Sequence, residues 1–90
     1  MRKFKRVSVD SVGFAIDDKN HFQIAIQDFS RMGISFTTSE HLANKKFVSI
    51  MYQNEINQIV HMKIYIKNIS KAANENFRIG ALFVAVESRT

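Results

Sequence analysis

"HFQIAIQDFSRMGISF", His21 to Phe36, alternates, stops alternating, and starts again. Phe22, Ile24 and Ile26 occupy every second position against His21, Gln23, Ala25 and Gln27. That period of two marks a strand with one face buried. Ile34 and Phe36 resume it. Between the two runs stand a carboxylate, a hydroxyl and a glycine: Asp28, Ser30 and Gly33. This D-x-S-x-x-G is either turn chemistry linking two strands or half of a ligand site. The residues on both sides of it have to decide.

Before it, "VSVDSVGFAI" sets Val7 and Val9 in alternation, then Val12, Phe14 and Ile16 after a one-step phase change at Ser11. Such a change inside a strand predicts a bulge or bend, and Gly13 would tolerate it. "DDKN", Asp17 to Asn20, spells a turn, so the first two strands form a hairpin.

After it comes a short third strand, Ile34 to Thr37. "SEHLAN" predicts one helical turn with Ser39 as N-cap. "KFVSIMY" is a fourth strand, "QNEIN" a loop and "QIVHMKIYIKN" a long fifth strand. In the fifth, Val60, Met62, Ile64 and Ile66 face one way; His61, Lys63, Tyr65 and Lys67 face the other. "SKAANEN" reads as a loop, and "FRIGALFVAVE" as a last strand with few polar positions, expected to be buried on much of both faces. Six hairpin-linked strands with little helix predict an all-β fold, a small six-stranded antiparallel β-barrel. Closure also protects strand edges that carry no proline.

Ninety residues, 46% of them apolar, make a single globular domain with a modest core. Cysteine is absent, which removes disulfides and thiolate chemistry. No apolar run approaches the roughly 18 residues of a membrane span, and Met1 leads straight into charge with no signal peptide behind it. These features predict a cytoplasmic protein without membrane insertion. Of the thirteen basic residues, Arg2, Lys3, Lys5 and Arg6 supply four; from Val7 onward nine basic residues face eight acidic ones. The body is nearly neutral and the positive charge is an N-terminal tag. A nucleic-acid-binding face would instead repeat Lys and Arg along several elements, so no nucleic-acid partner is expected.

Catalytic chemistry has no foothold. His21, His41 and His61 fall on a strand start, a short helical turn and a polar strand face, and predict three exposed histidines with no metal site. Nucleophile-elbow, Walker, dinucleotide-binding and zinc-protease motifs are all missing. The chain reads as a non-enzyme.

Two short motifs remain. "RKFKR" sets Arg2 and Arg6 four apart, an R-x-x-x-R. Alone it is an ordinary solvated terminus, as D-x-S-x-x-G alone is an ordinary turn. Together, R-x-x-x-R before the first strand and D-x-S-x-x-G between the second and third, they resemble the PilZ domain family, on Arg2, Arg6, Asp28, Ser30 and Gly33. The resemblance spans nearly the whole chain, and the family's fold is a six-stranded antiparallel barrel. It divides the single PilZ-like domain, residues 1–90, into a basic ligand-switch segment at 1–6 and a barrel at 7–90.

The resemblance implies a second-messenger receptor or effector domain of bacterial signalling that binds cyclic di-GMP, with no other cofactor. Arginine's planar fork suits guanine O6 and N7 or phosphate oxygens. Asp28 is an acceptor only, matched to the adjacent N1–H and N2–H₂ donors of guanine. Ser30 either bonds the ligand or fixes the loop, and Gly33 admits a turn or a close approach. Arg31 stands within reach of the same ligand, whereas Arg78 and Lys46 read as plain surface. Beyond the ligand, the expected partners are another protein or a fused effector domain. The alternative is a degenerate PilZ-like protein-interaction module that binds no nucleotide.

Overall fold

The computed structural model describes residues 7–89. Six strands follow one another: β1 (Val7–Asp17), β2 (Asn20–Phe29), β3 (Gly33–Thr38), β4 (Phe47–Gln53), β5 (Ile59–Lys71) and β6 (Phe77–Arg89). All neighbours are antiparallel, and the order β1-β2-β3-β6-β5-β4 closes on itself as a barrel. The inward rows are those the alternation predicts. Ile24 and Ile26 from β2, Ile34 and Phe36 from β3, Val48 and Ile50 from β4, and Val60, Met62, Ile64 and Ile66 from β5 are buried together. His21, His41 and His61 are exposed, as expected.

Side-chain direction departs from the simple reading at three places. The phase change in β1 is a bulge against β2 between Ser8 and Ser11. Beyond it, Val12, Phe14 and Ile16 do share a face, but that face points outward, while Gly13 and Ala15 are buried. The inner positions have to be small: a Cβ on Gly13 would come within 3.2 Å of Ile26 Cδ1 and 3.1 Å of the Met51 carbonyl oxygen. In β6, Ile79 and Ala81 alone are buried among residues 77–87; Val84 and Val86 are 52% and 56% exposed. The expectation of burial on both faces fails because a barrel of one sheet has no second layer. Val84 is moreover the extra residue of a bulge opposite Lys63 and Ile64. Finally, residues 39–46 form no helical turn, and the described residues contain no helix. Ser39 therefore caps nothing; instead Thr38 Oγ1 accepts the Glu40 N–H at 3.2 Å and turns the chain out of β3. The loop still closes that end of the barrel: Leu42 packs on the core and His41 tilts against Phe77 at 4.7 Å.

The hairpin turns follow local chemistry. Asp18 takes φ 58 in the two-residue turn where Asp17 pairs with Asn20. Asp17 is held in turn by Lys46 Nζ at 2.7 Å, joining the β1–β2 turn to the β3–β4 loop. Asn54 builds the β4–β5 turn, its Oδ1 accepting the Gln58 N–H at 2.9 Å and the Ile56 N–H at 3.1 Å. In the β5–β6 turn both Asn74 and Glu75 have positive φ, 58 and 62. Asparagine tolerates that region; a glutamate there carries its Cβ too close to the following carbonyl.

Two outcomes test this packing. Glu75→Gly should raise stability by about 0.5–1 kcal/mol in chemical denaturation, since relief of the left-handed strain exceeds the entropy a glycine adds to the unfolded chain. A neutral or destabilising result would mean that the turn is not strained. Gly33→Ala should cost about 2 kcal/mol or more, because a Cβ there would overlap the Ala81 carbonyl oxygen and lie 3.2 Å from Leu82 Cα. Wild-type stability in that variant would contradict the β3–β6 approach described here.

Candidate functional site

Asp28 owes its position to one extra residue. In the β2–β3 ladder Ile26 pairs with Phe36 and Asp28 with Ser35, so Gln27 is unmatched. Ile26 is buried, and simple alternation would carry Asp28 inward as well. The bulge at Gln27 reverses that phase: Asp28 lines an outer groove, while Phe29 turns in and packs against the core. There Phe29 meets the rings of Tyr52 at 5.4 Å and Phe83 at 6.4 Å, closing this end of the barrel. Burial in that cluster pushes the Tyr52 phenol above its ordinary pKa.

The turn after Asp28 is tied at three points. Ser30 N–H donates to the Gly33 carbonyl at 2.9 Å, and Gly33 N–H donates to Ser30 Oγ at 3.2 Å. Phe83 N–H donates to the Met32 carbonyl at 2.9 Å, pinning the turn to β6. Ser30 thus fixes the loop, one of the two roles the sequence left open for it. Gly33 has no positive φ, so its need for glycine is close approach to β6 and not turn conformation.

The groove, about 550 Å³, crosses the outside of β3, β6 and β5. Its axis follows one cross-strand row: Asp28 pairs with Ser35, Ser35 with Gly80, and Gly80 with Asn68. The two central members are a serine and a glycine, and a Cβ on Gly80 would meet nothing nearer than 3.8 Å. Small residues on the middle strands and larger polar ones on the outer strands make a trough. With neighbouring strands ~4.8 Å apart, Asp28 and Asn68 stand roughly 14 Å from one another across it. Met32 forms part of one lip and is half exposed.

The structure therefore brings Asp28, Ser30 and Gly33 together at one end of a single groove. Arg2 and Arg6 lie outside the described residues. The backbone nevertheless fixes where their segment joins the barrel, because Val7 pairs with Phe29 and Ser8 with Asp28. Arg31 is exposed and does not line the groove. Lys46 is a surface residue in its ion pair with Asp17. Lys67, Asn68, Ser70 and Arg78 line the groove without belonging to either motif. A sequence signal for part of this existed: Ile26 to Phe29 and Ile66 to Ile69 are apolar spacings of three within strands of period two. Each marks a bulge at the groove's edge, the second one at Lys67, between the pairs Ile66–Ala81 and Asn68–Gly80.

No family model matches the sequence, and no curated protein matches it. Solved structures do. The barrel superposes on the inhibitor of motility MotI/DgrA of Bacillus subtilis with a TM-score of 0.78 at 10% identity, covering 97% of this chain and 44% of that one. It superposes on MrkH of K. pneumonia, solved as a complex with c-di-GMP, with a TM-score of 0.74 at 15% identity, covering 94% and 45%. A second MrkH structure, described as a c-di-GMP-dependent transcription regulatory factor, gives 0.64 at 16% identity, covering 92% and 43%. The chain spans less than half the length of these proteins, and the likeness is one of fold. That fold is the small, closed, six-stranded PilZ-like barrel.

Proposed function

We propose that the groove binds cyclic di-GMP and that the domain is a receptor for this second messenger, acting by binding and not by catalysis. The observation that carries the reading is the groove with Asp28, Ser30 and Gly33 at one end and the start of β1 beside them. The register of β1 on β2 joins the basic segment to the barrel directly beside Asp28 and Phe29, where Asp28, Ser30 and Gly33 already enclose one end of the groove. Neither motif alone suggests a ligand; a basic segment that enters the barrel beside this trough does.

Each member then has a physical task. Asp28 accepts from guanine N1–H and N2–H₂, a donor pair that adenine lacks. Arg2 and Arg6 bring charge-assisted contacts to phosphate oxygens or to guanine O6 and N7. Ser30 and Gly33 hold the turn in the shape that presents Asp28 outward. The small floor at Ser35 and Gly80 lets the ligand lie close to the sheet. Ligand would draw the basic segment onto the barrel and so alter the surface offered to a protein partner or a fused effector domain. The MrkH complex with c-di-GMP supports the reading, since a protein that contains a barrel of the same fold is there found with this ligand.

Calorimetric titration tests it. Cyclic di-GMP should bind in the micromolar range or tighter, about −8 kcal/mol, more weakly as salt rises. Cyclic di-AMP should bind about tenfold more weakly or worse, and Asp28→Asn should erase most of that difference. Arg6→Ala should lose about 2 kcal/mol of binding without a change in folding. Saturating ligand should also protect Lys3, Lys5 and Arg6 from trypsin more than it protects Lys45 and Lys46. Equal affinity for the two cyclic dinucleotides would refute the role of Asp28, and absence of binding would refute the function.

A further inference from the structure

The groove has a second wall, on β5 and β6, made of residues that belong to neither motif. The β5 bulge at Lys67 breaks the alternation, so Lys67 and Asn68 are consecutive and both exposed. On β6, Arg78 stands two residues before Gly80 and pairs with Thr37 on one side and Ser70 on the other. Its side chain reaches over β3, where an amino group donates to Gln27 Oε1 at 3.1 Å. Gln27 is the extra residue of the bulge that turns Asp28 outward. The acceptor is a neutral amide, so this bond orients the guanidinium without neutralising its charge. Lys67 thus borders the Gly80 floor from β5, and the Arg78 guanidinium borders it from the β2 side, where Asp28 ends the row.

A carboxylate at one end of the trough and two cations bordering its floor match the chemistry of a phosphodiester-linked purine. The acidic end suits the donor edge of the base, and a base set there places the attached sugar-phosphate toward the middle of the floor. We infer that Lys67 and Arg78 form a phosphate-binding wall of the groove, a set of ligand contacts additional to the two motifs. The inference rests on the cyclic di-GMP reading and deepens it. Arg78 gives a phosphate two parallel N–H donors, and Lys67 gives it a point charge. Both are exposed on the rim, so neither is needed to hold the core.

The two residues can be separated from the base-reading end by titrating cyclic di-GMP into wild type, Arg78→Ala, Arg78→Lys, Lys67→Ala and Asp28→Asn at two salt concentrations. Arg78→Ala should weaken binding about tenfold and Lys67→Ala about threefold to tenfold. Both should flatten the salt dependence and leave the preference over cyclic di-AMP intact, because phosphate contacts carry charge and not base identity. Arg78→Lys should recover part of the loss. Melting temperatures of all four variants should stay near wild type. If wild type binds and Asp28→Asn loses discrimination while Arg78→Ala and Lys67→Ala bind as wild type, the phosphate wall is wrong and the receptor reading stands. If wild type itself does not bind, both fall together.

Discussion

In a closed barrel, side-chain direction is not negotiable. Each strand is locked to two neighbours, residues alternate between core and solvent, and one extra residue flips everything after it. The site depends on this constraint. Without the unmatched Gln27, Asp28 would share the phase of the buried Ile26 and Phe29 would face water. A charged carboxylate would then displace the ring that meets Tyr52 and Phe83 at the end of the core, at a desolvation cost of several kcal/mol. The same bulge therefore seals the barrel and exposes the carboxylate.

The constraint is used twice. On β5 the bulge at Lys67 does for Lys67 and Asn68 what Gln27 does for Asp28, and it too is followed by an apolar residue returned to the core, Ile69. Two bulged strands thus flank the β3–β6 pair, and between them the outward positions shrink to Ser35 and Gly80. A groove on the convex outside of a barrel needs this combination of raised edges and a bare middle. Gly33 completes it by letting β3 lie against the Ala81 carbonyl. The floor is consequently backbone and small side chains, held by the ladder, so the trough is preformed and a ligand pays little to reorganise it.

Much of this was legible in the chain. Period-two runs delimited six strands to within one to four residues, and the turn residues between them separated the hairpins, because apolar alternation and turn chemistry are local properties. D-x-S-x-x-G supplies Asp28, Ser30 and Gly33 to one end of the groove. What escaped depends on partners distant in sequence. Arg78 reads as surface because only the barrel's closure sets β6 beside β3 and brings its guanidinium to Gln27. The outward face of Val12 and Phe14 was hidden because Gly13 and Ala15, though less apolar, are the only side chains small enough for the crowded inner row. The sixth strand looked doubly buried on composition alone, yet its last residues run past β3, whose pairing ends at Leu82. The helical turn expected after Ser39 does not form, and the Glu40 N–H bonds instead to Thr38, a buried residue already fixed by its strand.

A crystal structure of the domain with cyclic di-GMP tests the central claim most directly, because it reports both the phase of β2 and the position of the ligand. The account predicts an unmatched Gln27, an outward Asp28 carboxylate about 3 Å from guanine N1 and N2, and phosphates over the Ser35–Gly80 floor toward Lys67 and Arg78. A ligand bound elsewhere on the barrel, or a β2 in which Asp28 follows regular alternation into the core, would contradict it.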